Sequence, residues 1–94
     1  MRFLLHEHAA ITDALHAQGI DPGTVLFVKR RGRLHVEVPG RPDAFVFFRR
    51  KDTRIGDDHA WAHRMDYFLG TAKAEGPGHT WTQVMEAFRT WLHA

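Results

Sequence analysis

The sequence predicts an α+β domain in the order α-β-β-β-α-α: an N-terminal helix, a three-stranded antiparallel meander and two C-terminal helices, with the helices packed on one face of the sheet. Three observations carry that expectation. Apolar residues recur at helical steps before residue 18 and after residue 57. Between these stretches lie short runs rich in Val and Phe, which suit half-buried strands. Clusters of Gly, Pro and Asp punctuate the chain between the runs. With 94 residues the chain makes one domain, 1–94, because a second would have too little chain for its own core.

The first helix is expected over about residues 4–18, where Leu4, His8, Ile11 and Leu15 share a face. Gly19 is its expected stop, and Asp21-Pro22-Gly23 prevents continuation. Two strands then meet across Arg31-Gly32. A two-residue loop there sets Val25 opposite Val38, Phe27 opposite Val36 and Lys29 opposite Leu34, with Val28 facing His35 and Leu26 facing Glu37 on the other side. Leu34, Val36 and Val38 read as inward, Arg33, His35 and Glu37 as outward on a half-polar face. Pro39-Gly40-Arg41-Pro42-Asp43 turns the chain into a third strand, Ala44 to about Arg50. Phe47-Phe48 breaks the alternation there and leaves the two rings unassigned to a face.

A second helix is expected from a cap at Asp57 or Asp58, with the stripe Trp61, Met65, Phe68, Leu69 and Ala72. Glu75-Gly76-Pro77-Gly78 ends it. Thr80 and Gln83 form a capping box for a third helix, Thr80 to about His93, whose stripe is Trp81, Val84, Met85, Phe88, Trp91 and Leu92. The three tryptophans read as core rather than as stacking platforms. Helix 3 is expected to fold back intramolecularly.

Charge is distributed unevenly. Nine of the thirteen Lys and Arg residues fall between positions 29 and 54 against three acidic ones, a net +6, while each flanking segment sums to −2. In a meander the hairpin tip and the exit of the third strand lie at one end of the sheet. Lys29, Arg30, Arg31, Arg33, Arg49, Arg50, Lys51 and Arg54 are therefore expected to crowd that end. Clustered cations repel one another, an acidic partner relieves them, and Arg suits planar contacts with phosphate or carboxylate. The expected function is a small, non-enzymatic binding module whose partner is nucleic acid or, second, an acidic protein. The alternative is a protein-interaction or oligomerisation domain acting through apolar helix surface.

Other chemistry is poorly provided for. Cysteine is absent, which excludes disulfides, thiolate zinc sites and a cysteine nucleophile. His59 and His63, one helical turn apart, are a two-imidazole pair without the His-Glu-x-x-His pattern, since Ala60 stands where the catalytic Glu would be. They are expected to be exposed and metal-free. His35, amid Arg33 and Glu37 on the polar sheet face, could act as a general base. Catalysis needs a second group that sequence does not place beside it, however, and a lone His on an exposed strand is usually polar filler. No catalytic residue, metal or cofactor is expected, and the domain is expected to be soluble, cytoplasmic and monomeric, with no apolar run long enough to span a membrane.

The α-β-β-β-α order is similar to that of double-stranded-RNA-binding domains and of HicA-type toxins that cleave mRNA. The residues diagnostic of each are replaced, however. Gly56-Asp57-Asp58-His59 stands where the RNA-binding module has a Lys-rich helix start, and Gly32-Arg33-Leu34-His35 stands where the toxins have Gly-Ser-His. Neither function carries over.

Overall fold

A computed structural model of the chain describes residues 5–30, 33–49, 60–64 and 79–93, with backbone alone for Arg30 and Arg64. The first helix, α1 (Leu5–Ala17), ends as its sequence predicts. Gly19 takes a φ of 71°, its N–H bonds to the His16 carbonyl at 2.9 Å, and the Ile20 N–H bonds to the Leu15 carbonyl at 2.9 Å. That pair of reversed bonds is a Schellman cap, which needs a left-handed residue that Gly supplies without strain. The buried face of α1 is Glu7, Ile11, Ala14 and Leu15, whereas His8 is exposed and Leu4 lies outside the described residues. A single 3-10 turn, Pro22–Thr24, follows, capped by the Asp21 carboxylate accepting from the Gly23 N–H at 2.9 Å.

Four strands form the sheet: β1 (Leu26–Arg30), β2 (Arg33–Glu37), β3 (Phe45–Arg49) and β4 (Trp61–Arg64), in the spatial order β1-β2-β3-β4 with every pair antiparallel. The hairpin register is the one the two-residue loop dictates, with Phe27 on Val36 and Lys29 on Leu34. Between β2 and β3 the Arg41 N–H bonds to the Val38 carbonyl at 3.2 Å while Gly40 takes a φ of 84°. With Pro39 preceding Gly40, this is the geometry of a type II turn.

The expected three-stranded sheet with two C-terminal helices is thus corrected to four strands and two helices. The helix expected from Asp57 or Asp58 to Ala72 is overturned at Trp61–Arg64, which is a strand paired along β3 from Arg49–Trp61 to Val46–Arg64. Ala60, just before it, is in no regular element, and the rest of that expected helix lies outside the described residues. With β4 in place, the order also departs from both topologies it resembled.

The second helix of the structure, α2 (Trp81–His93), is the one expected at the C-terminal end. The Thr80 N–H donates to Oε1 of Gln83 at 2.9 Å, and the Gln83 N–H donates to Oγ1 of Thr80 at 3.2 Å, closing the capping box. Val84, Met85, Phe88, Trp91 and Leu92 are all buried against the sheet. Phe88 packs on Phe45 and Phe47 at ring separations of 5.1 and 5.2 Å. The apolar stripe of α2 is therefore consumed within the molecule.

β3 is buried on both faces. Phe45 and Phe47 join the principal core with α1 and α2, while Val46 and Phe48 form a second cluster with Ala62 across the sheet. This alternation places the two adjacent phenylalanines on opposite faces. It also corrects the expectation of a half-polar outer face, since His35, opposite Val46, is only 9% exposed.

Candidate functional site

The cross-strand register shows which of the expected cationic residues share one end of the sheet. One row runs Arg30–Arg33–Phe48–Ala62, and beyond it comes Arg49–Trp61–His79, the last joined by a bridge outside the named strands. Hence Arg30, Arg33 and Arg49 occupy three adjacent strands at one end. Their faces differ. Residues directly opposite one another share a face, so Arg33 goes with Phe48 on the outer side and Arg49 goes with Trp61 on the helix side.

Each guanidinium lies by the aromatic ring it faces. The Arg33 Cζ is 6.0 Å from the Phe48 ring centroid and the Arg49 Cζ is 4.8 Å from that of Trp61. A stacked guanidinium gains roughly 0.5–1 kcal/mol at an exposed site. A cation over a ring uses only the face of the group, so the in-plane N–H edge of exposed Arg49 can still meet a carboxylate or phosphate. Arg49 is exposed, Arg33 half-buried, and Lys29 exposed one row inward on the helix side. Arg31, Arg50, Lys51 and Arg54 lie outside the described residues.

Arg41, the ninth cation of the basic segment, is at the opposite end. It donates from Nη1 to the Trp91 carbonyl at 2.7 Å and from Nη2 to the Leu92 carbonyl, and its Cζ sits 4.8 Å from the Trp91 ring. Sequence reasoning counted it only as charge. The clue to its role was its place directly after the Pro39-Gly40 turn, where an isolated Arg can reach a helix C-terminus.

A second constellation was misread from spacing. His63 does not share a helical turn with His59, which lies outside the described residues; it stands on β4 and meets His79, with ring centroids 5.7 Å apart. On its other side it stacks on Phe45 at 5.2 Å and 14° between planes. Its Nδ1 is buried without a hydrogen-bond partner among the described residues. Burial, and secondarily the neighbouring His79, hold the His63 pKa below the ordinary 6.5. The expectation of an exposed His63 is corrected accordingly. Among the described residues no group of three or more His, Cys, Asp or Glu side chains is placed to hold a metal ion.

Trp61 at 6% and Trp91 at 5% exposure belong to the core as expected, although Trp61 reaches it from a strand, whereas Trp81 is only half-buried against it. Among the described residues no helix is long and apolar enough to cross a membrane. The chain matches no known family model, no curated protein and no solved structure.

Proposed function

We propose that this domain is a small, non-enzymatic binding module, monomeric and cytoplasmic, whose basic sheet end contacts an acidic partner, nucleic acid before acidic protein. The observation that carries the reading is the register, which brings Arg30, Arg33 and Arg49, all of the expected set, to one end on adjacent strands, the guanidinium groups of Arg33 and Arg49 being described. A binding role rather than catalysis is supported by the surroundings of the central histidines: His35 is buried beside Val46, and His63 is held between aromatic rings. The apolar-surface alternative loses its main support because the stripe of α2 faces inward.

Because Arg33 and Arg49 lie on opposite faces, the contact wraps the end of the sheet rather than lying flat on it. A polyanion crossing that end meets cations on both sides. Fluorescence anisotropy with labelled mixed-sequence single-stranded and duplex oligonucleotides, repeated over a salt series, tests the reading. Binding should weaken linearly in log salt, with a slope of about −0.9 per phosphate contact on duplex and about −0.7 on single strands. An absence of binding at low salt, or binding indifferent to salt, would overturn it.

A further inference from the structure

His63 and His79 meet where the sheet passes into α2. His79 exchanges both backbone hydrogen bonds with Trp61, at 3.0 and 2.9 Å, and Thr80 caps α2 at the very next position. The His63 ring fills the space between the His79 ring and Phe45, and Phe45 in turn packs on Phe88 and Trp91 of α2. The two imidazoles are thus wedged into the seam that holds β4 and the start of α2 to the rest of the core.

A neutral imidazole fits this position at modest cost, as an aromatic ring with one unused lone pair. A protonated one does not. Its Nδ1–H becomes a buried charged donor with no described acceptor, and burying unpaired charge is among the costliest changes a fold can absorb. Among the described residues the charged groups nearby do not compensate. On β3 the helix-side positions are Phe45, Phe47 and the like-charged Arg49; β4 contributes Arg64 at a register position on the opposite face. On α2, Glu86 and Arg89 are on the exposed side, and His79, just before the helix, brings a second imidazole and no carboxylate.

We propose that the His63–His79 pair is a proton-sensitive latch on the seam between β4 and α2: neutral rings keep it closed, and protonation of His63 releases the Trp61–His79 bridge while the β1–β2–β3 pairing persists. The depressed folded-state pKa of His63 means that the unfolded or opened chain binds the proton more tightly. The stabilisation is fully present above pH 6.5 and is lost as the pH falls from there through the folded-state value. This latch goes beyond the binding function and stands whether or not the sheet end takes a polyanion.

Backbone amide exchange, followed by NMR on the intact chain on either side of pH 6.5 and corrected for the intrinsic pH dependence of exchange, tests the latch. On acidification the amides of Trp61 and His79 should lose protection by about tenfold relative to Val36, which reports the β1–β2–β3 pairing. In His63→Phe, which keeps a ring on Phe45 and removes the titrating group, the two amides should respond to pH no more than Val36 does. Equal protection on both sides of pH 6.5 would overturn the latch, and so would an undiminished pH response in His63→Phe. The imidazole shifts of the unsubstituted protein give a reading that needs no variant: a His63 ring titrating at or above 6.5 would also overturn it.

Discussion

Arg41 closes the C-terminal end of α2 by donating to the carbonyl oxygen of Trp91 at 2.7 Å while its Cζ sits over the ring of the same residue, 4.8 Å from the centroid. The last carbonyls of a helix have no partner within it and carry the negative end of its dipole, so a forked cation answers both needs at once. The link spans fifty residues of chain and ties the β2–β3 turn to the helix that covers the sheet.

Replacing Arg41 with Ala should lower stability by about 2–3 kcal/mol, combining one or two charge-assisted hydrogen bonds with a stacked cation. Arg41→Lys should recover less than half of that loss, since an ammonium keeps the charge but cannot fork across two carbonyls. Urea denaturation of both variants checks the order. Equal stability of Arg41→Lys and the unsubstituted protein would show that charge alone matters.

Gly40 aims Arg41. At a φ of 84° it occupies backbone space that a side chain disfavours, yet a Cβ added there would meet nothing within 4 Å. Gly40→Ala should therefore cost only the conformational penalty, about 1–2 kcal/mol, with no steric clash added. Combining it with Arg41→Ala should give less than the sum of the two losses if the turn acts chiefly by placing the guanidinium. A melting experiment on the double-variant cycle reads this coupling directly.

Arg33 and Arg49 divide the sheet end between its two faces, and their variants should divide its binding. Arg33→Gln and Arg49→Gln should each make the salt dependence shallower by about one phosphate's worth, provided a polyanion crosses the end of the sheet. A partner lying against one face only would make one substitution costly and leave the other silent. Anisotropy titrations of the two variants beside the unsubstituted protein separate these outcomes.

Much of this fold can be read from local chemistry. Gly19 at a left-handed position, Thr80 with Gln83, and two residues between Arg30 and Arg33 each leave few alternatives, and α1, α2 and the first hairpin follow from them. β4 was hidden because both its faces are buried. Ala62 enters the outer cluster and Trp61 the inner one, so no polar alternation marks the strand, and Ala and His have little intrinsic strand preference. The apolar residues at helical spacing after Trp61 supplied a competing local pattern, whereas pairing with β3 is a long-range gain that periodicity does not register. The same limit governed the sites. The hairpin geometry brought Arg30, Arg33 and Arg49 to one end, but it left the face of Arg49 open because Phe47-Phe48 gave no alternation to follow. The partnership of His63 with His79 depends on β4 and was out of reach without it.

Phe45 and Phe47, each fully buried, face a helix that the ribosome makes more than thirty residues later. Until Phe88 and Trp91 have left the exit tunnel, the nascent meander carries a bare aromatic face beside an unpaired strand edge. Such intermediates are the ones that stick to their neighbours on a polysome. For this chain the hazardous interval runs from the emergence of β3 from the tunnel to that of α2, so whatever slows the chain's emergence between the two lengthens exposure of the aromatic face.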